Sequence, residues 1–253
     1  MQRIKVVLGS LVLVPLFLWG CAGVSDLPRH RRTGDQAVQG HDFVLWAPCE
    51  RQLAEGLATA GQKDGWAAIR AANCFAALVR QGEDKSQRLA DAKRGRRLAQ
   101  AAVAMLPRSG LAHYLAAYLT GMEAENDPLR GLALVPLIER EAMIASDLDP
   151  GIDHGGPDRM LGELYLNAPG IPISIGDSAK AVARFRRALD HDPEFPENRL
   201  GLVEALLAEE ELGRACFELK GVLSEMAPDD TVNLRWKKTI ELLDRLCSLQ
   251  ETE

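Results

Sequence analysis

From residue 43 onward, stretches rich in Ala and Leu are separated by short clusters of Pro, Gly and Asp. Alternating Val/Ile/Thr runs of the kind that build half-buried strands are nearly absent after residue 40. The pattern predicts helices over 43–60, 64–81, 85–105, 109–124, 129–148, 158–167, 177–191, 195–209, 211–226 and 230–249. The expected fold class is all-α.

Several of these segments share one ending. Ala102, Ala145 and Ala188 each stand five positions before a proline, Pro107, Pro150 and Pro193, and those prolines are 43 residues apart. A proline at constant phase stops each helix at the same point, and the small alanine before it allows close packing. A fixed period of this kind signals stacked helical pairs.

One unit carries a family likeness. Leu161-Gly162-x-x-Tyr165 opens it, and Ala181-x-x-x-Phe185-x-x-Ala188-x-x-x-x-Pro193 closes it. This resembles the tetratricopeptide repeat, and implies an array of about four or five helical hairpins, an α-solenoid. A shift of 34 residues takes Ala181 to Ala215, Phe185 to Leu219 and Ala188 to Val222, with the closing proline one late at Pro228. The unit departs from the family in the added length from Leu166 to Lys180, whose Pro and Gly density predicts an ordered, non-helical excursion, with Asp177 as cap of the next helix. The stretch Asp153-His154-Gly155-Gly156-Pro157-Asp158-Arg159, with Ala168-Pro169-Gly170 and Gly176-Asp177, resembles the T component of TRAP-type solute transporters (TatT). That resemblance covers roughly 100–228 and is specific mainly over 153–198. It implies a periplasmic lipoprotein with a ligand-accessible groove and a solute-binding protein as partner.

The first twenty residues have a different character. Arg3 and Lys5 precede an apolar run from Val6 to Leu18, broken by Gly9, Ser10 and Pro15. The run is short of the roughly 20 apolar residues of a membrane span and has the layout of a secretory signal. Leu18-Trp19-Gly20-Cys21 resembles a bacterial lipoprotein signal, with Trp19 in place of the usual small or aliphatic residue. The expected organisation is a signal peptide at 1–20, a tether at 21–41 that begins at lipidated Cys21, and a helical domain at 42–253. An uncleaved signal anchor is the alternative. Either places the domain outside the cytoplasm, and Ala22 after Cys21 points to the outer membrane.

Charge and cysteine usage narrow the function. The net charge is -6, and both basic residues of the signal lie outside the helical domain, which is therefore more acidic still. A nucleic-acid binder needs a basic face, so that class is disfavoured. The knot Arg29-His30-Arg31-Arg32 reads as a solvated tether or a contact with anionic head groups. With Cys21 lipidated, four cysteines remain. Cys49 and Cys74 are centred on the breaker at Gly61-Gln62, and Cys216 and Cys247 on Thr231-Val232. Residues equidistant from a hairpin turn lie opposite one another, so the expected disulfides are Cys49–Cys74 and Cys216–Cys247. Four free thiols are the alternative.

The candidate ligand groove comprises Asp153, His154, Asp158, Arg159, Glu163 and Tyr165. His154 and Arg159 would stand at its mouth, where arginine pairs with a carboxylate. The structural reading of the same residues is a glycine turn at Gly155-Gly156, a helix start at Pro157 and capping by Asp153 or Asp158. Asp149, Asp153, Asp158 and Asp177 lack the spacing of a calcium loop, the five histidines are scattered, and no hydrolase or phosphate-loop motif is present. Lys93-Arg94-Gly95-Arg96-Arg97 reads as an exposed basic face. The expectation is a binding protein without catalysis, metal or cofactor. Its partner would be a solute-binding protein or another envelope protein, its contact with the membrane would run through lipid, and homo-oligomers are open to it.

Overall fold

Aspartate, serine and proline start most of the described helices, and residues just before prolines end several of them. The structure, a computed structural model, describes residues 44–225 together with Glu241 and Cys247. The signal, Cys21, the tether, Pro228 and most of the helix expected over 230–249 lie outside the described residues. Nine helices are described: α1 (Arg51–Ala60), α2 (Gly65–Gln81), α3 (Lys85–Met105), α4 (Gly110–Asn126), α5 (Pro128–Leu148), α6 (Gly156–Asn167), α7 (Ser178–His191), α8 (Pro196–Ala208) and α9 (Leu212–Glu225).

Asp64, Asp84, Ser109 and Asp177 accept backbone N–H bonds at the starts of α2, α3, α4 and α7, satisfying amides that have no partner within the helix. Prolines occupy the first turn of α5, α6 and α8, where a missing N–H costs nothing. The 43-residue repeat recurs in the hydrogen bonding. Leu106, Asp149 and Asp192, each just before a repeat proline, donate their N–H to Ala102, Ala145 and Ala188. Those three alanines are wholly buried.

The helices form an all-α, tetratricopeptide-like array of hairpins. α2 pairs with α3, α4 with α5, α6 with α7 and α8 with α9, and α1 precedes them against α2. Successive pairs also touch through α2–α4, α4–α6 and α6–α8, so the first helices of the pairs form one continuous inner layer. Alanines at 67, 68, 71, 72, 76 and 77 of α2 are buried, and such small side chains let neighbouring helices approach closely. Phe185 fills the junction of α6, α7 and α8. A Cβ on Gly162 would lie 2.8 Å from its ring, and one on Gly201 would lie closer still.

Cys49 is bonded to Cys74 with Cα atoms 5.3 Å apart, and Cys216 to Cys247 with Cα atoms 5.7 Å apart. The first links the segment ahead of α1 to the middle of α2.

The start of the first helix differs from expectation. Helix was expected from residue 43, but α1 starts at Arg51, because residues 44–48 leave the helical path to bond with α2 and the α5–α6 turn. Pro48 disfavours helix at the residue before it. The loop between α6 and α7 lies where expected, since α6 ends at Asn167 and α7 starts at Ser178 behind its cap Asp177. Gly176 N–H bonds to Pro169 and Asp177 N–H to Tyr165, which closes the loop and leaves Ile171 and Ile173 at 85% and 68% exposure.

Gly201→Ala pushes a methyl into the Phe185 ring. We expect a loss of about 1–3 kcal/mol, the range for overpacking, in urea unfolding of the disulfide-intact protein. A loss below roughly 0.5 kcal/mol, the surface-substitution range, would show that the ring can move aside.

Candidate functional site

The turn between α5 and α6 holds three consecutive residues in the left-handed region, Asp153 at φ 50°, His154 at φ 60° and Gly155 at φ 81°. Glycine is required at 155, where a Cβ would lie 2.7 Å from the Ala188 carbonyl. Asp and His enter this region more easily than most residues but are held there only by their surroundings.

Those surroundings converge on Asp153. Its carboxylate accepts from Trp46 Nε1 at 3.0 Å, from the Tyr114 hydroxyl at 2.6 Å and from Arg159 at 2.7 Å. Its carbonyl accepts from Arg159 at 3.0 Å. The His154 carbonyl accepts from Asn198 at 2.8 Å, and the His154 ring meets Asp192 at 2.5 Å through Nδ1 and stacks on Phe195 with centroids 4.4 Å apart. Arg159 also bonds Asn198 at 3.0 Å and lies over Phe195 at 4.8 Å. Turn, α4, α6, α8 and the segment before α1 are thereby locked together.

Electrostatics follow the geometry. Burial first, then the Asp153 carboxylate, hold the Tyr114 phenol well above its usual range. For Arg159, burial works downward, while Asp153, Tyr114, Glu163 and Glu197 work upward; the net direction is upward, and the guanidinium stays charged.

The six groove candidates do not line one surface. Asp153, His154 and Arg159 belong to the network just described. Asp158 is wholly buried on another side of α6, where it accepts from Ser146 at 2.9 Å and Arg184 at 2.8 Å. It ties α6 to α5 and α7. Glu163 is exposed one turn beyond Arg159. Tyr165 is buried and donates to Glu139 at 2.7 Å. Burial, then that bond, pushes its phenol up to about 12.

The basic run on α3 is also more engaged than an exposed face. Arg96 pairs at 2.6 Å with Glu123, a fully buried residue of α4, while Arg94 meets Glu55 at 2.5 Å and Lys93 meets Asp127 at 3.6 Å. A cavity of about 200 Å³ lies beside this run, lined by Ala58, Gln62, Arg94, Arg97 and Leu98. Among the described residues, no group of His, Cys, Asp and Glu is arranged to hold a metal, and no helix is long and apolar enough to cross a membrane.

Sequence reasoning missed Trp46, Asn73, Tyr114 and Asn198. Asn73 is buried in α2, where its side chain accepts from Trp46 N–H at 3.1 Å and donates to the Val44 carbonyl at 3.2 Å. Trp46 packs on Tyr118 with centroids 4.3 Å apart, edge-on to Tyr114 at 6.0 Å, with the Arg80 guanidinium 5.4 Å from its ring. The available signal was a polar amide inside the Ala-rich run of α2.

Residues 175–233 match the family model of the tetratricopeptide repeat. The matched stretch opens in the loop before α7 and takes in α7, α8 and α9. Among solved structures, the chain is similar to a thermophilic TPR protein of Thermus thermophilus, at 17% identity and a TM-score of 0.48 over 75% of this chain and 98% of that one. A search of curated proteins gave no match.

Two measurements probe the site. Asp153→Ala leaves the Arg159 charge buried without its partner and puts alanine at a positive φ; we expect a loss of about 3 kcal/mol in urea unfolding, with Asp153→Asn intermediate. Loss below about 1 kcal/mol, that of one ordinary hydrogen bond, would show that the turn stands without its carboxylate. The second concerns pH. The folded Tyr165 phenol is raised from 10.0 to about 12, so the stability it contributes is fully present below pH 10 and is lost as pH rises towards 12. Tyr165→Phe should make unfolding less steeply pH-dependent over that window, and a phenolate absorbance titration should lose its component near 12.

Proposed function

We propose that this chain is a lipid-anchored binding protein of the periplasm, associated with a TRAP-type transporter as a T component, and that its array docks a solute-binding protein. The observation that carries the protein-binding part is the continuous inner layer made by α2, α4, α6 and α8. Helical-pair arrays present such layers as extended recognition surfaces. The tetratricopeptide repeat match over 175–233 supports the same reading.

The resemblance of residues 153–198 to the T-component family supports the transport role. Export and lipidation rest on the charged head, the apolar run and Cys21. The chemistry of the site favours binding over catalysis. Asp153, Arg159, Asp158 and His154 are each engaged with protein partners that hold helices together, and none is poised beside an activated nucleophile. A scaffold lipoprotein of envelope assembly is the second reading, favoured by Ile171 and Ile173 standing exposed on a closed loop.

The test is capture from envelope extract by the chain lacking its first 21 residues, with disulfides intact, followed by mass spectrometry. Recovery of a periplasmic solute-binding protein is expected. Recovery of outer-membrane assembly or secretion components instead would move the protein to the scaffold reading.

A further inference from the structure

Residues 44–46 lie on the inner layer as a bound peptide lies on its receptor. The Asn73 amide brackets Leu45 by bonding the backbone on either side of it, at the Val44 carbonyl and the Trp46 N–H. This recognises main chain and is indifferent to side-chain identity. The neighbouring contacts read one side chain. The Trp46 ring sits against Tyr118 and Tyr114 under Arg80, and its indole N–H donates to Asp153. The seat is thus built from α2, α4 and the α5–α6 turn, around a non-helical segment that turns at Leu45 and Trp46.

The segment fits this seat under strain. Trp46 has φ 62°, a conformation that a bulky side chain rarely adopts, and Val44 remains 51% exposed. A strained occupant gives way to an unstrained one that makes the same bonds. If the seat were emptied, Asn73 would lose both its backbone partners and Asp153 one of its three donors, so any replacement must supply a backbone carbonyl, a backbone N–H and a ring N–H.

We propose that the Asn73–Tyr118–Asp153 seat is a binding site for a peptide segment of a partner protein that carries a tryptophan, and that Val44–Trp46 occupies it in cis until the partner arrives. The proposal rests on the protein-binding reading above and names its place on the array. A separate partner is favoured over a second copy by the Cys49–Cys74 bond. That bond fastens the segment, three residues beyond Trp46, to the residue next to Asn73. The strap can swing aside and return, but its reach into another copy is short.

The test uses the disulfide-intact chain and a fluorescent peptide of sequence Val-Leu-Trp-Ala-Pro as probe. Trp46→Ala empties the aromatic part of the seat and should bind the peptide at least about tenfold more tightly than the unaltered chain. Adding Asn73→Ala should remove that gain, and a peptide with Leu in place of Trp should not bind. Trp46→Phe keeps the ring contact and gives up only the bond to Asp153, so it serves if Trp46→Ala does not fold; it too must gain affinity. Equal binding by the unaltered chain and a folded variant, up to millimolar peptide, overturns the proposal. Dimers in sedimentation that vanish in Trp46→Ala would give the seat to a second copy and overturn the assignment to a separate partner. Peptide capture without recovery of a solute-binding protein from envelope extract would defeat the transport reading alone, and the reverse pattern would place that protein's docking surface elsewhere.

Discussion

The Asp153 carboxylate is the point on which the array's geometry turns. Three donors from three distant parts of the chain meet on it, Trp46, Tyr114 and Arg159. Each bond alone contributes about 1–3 kcal/mol at most. Together they hold a left-handed turn that no local preference would select, and that turn sets the direction in which α6 leaves α5. Because α6 then seats Phe185 against Gly162 and Gly201, the packing of the C-terminal pairs depends on a polar group rather than on apolar area alone. Hydrophobic burial drives association of the helices, while the carboxylate selects one arrangement among those that burial would tolerate.

A second polar centre repeats the logic on the other side of α6. Asp158 accepts from Ser146 of α5 and Arg184 of α7 while wholly shielded from water. His113 does similar work between α4 and α5, with Glu141 2.6 Å from Nδ1 and the Pro107 carbonyl 3.1 Å from Nε2. Consecutive helices from α3 to α7 are therefore joined by buried polar partners as well as by apolar contacts, Arg96 with Glu123, His113 with Glu141, and Asp158 with Ser146 and Arg184. Removing one partner from such a pair costs more than the pair contributes when intact, which makes these junctions intolerant of piecemeal change.

Fold class was legible in the sequence because spacing reports burial. Leu161, Tyr165, Ala181, Phe185 and Ala188 were placed by the repeat pattern, and all five are buried. The prolines at 107, 150 and 193 marked helix ends because their ring chemistry acts locally. The candidate site was only partly legible. Asp153 and Arg159 stood out through the glycines beside them, but Asp158 sits near a helix start and has the sequence context of a cap, and nothing nearby in sequence reveals Arg184. Trp46 was hidden for a similar reason. Its partners lie 27 and 107 residues away, and its apolar neighbours simulate the first turn of a helix. Local periodicity carries the elements; pairings made across long sequence distances are set by the assembled layers.

The pre-proline caps have a further implication for how such a chain can evolve. Ala102, Ala145 and Ala188 receive the same backbone bond at the same phase, so the α2–α3, α4–α5 and α6–α7 hairpins end on equivalent joints. A duplication or deletion of one whole 43-residue unit would rejoin like to like, leaving the terminating bond, the buried alanine and the turn that follows in register. Change of any other length would offset one joint from the next and strand a polar pair at the junction. The array is thus built so that a change of one whole module preserves its joints.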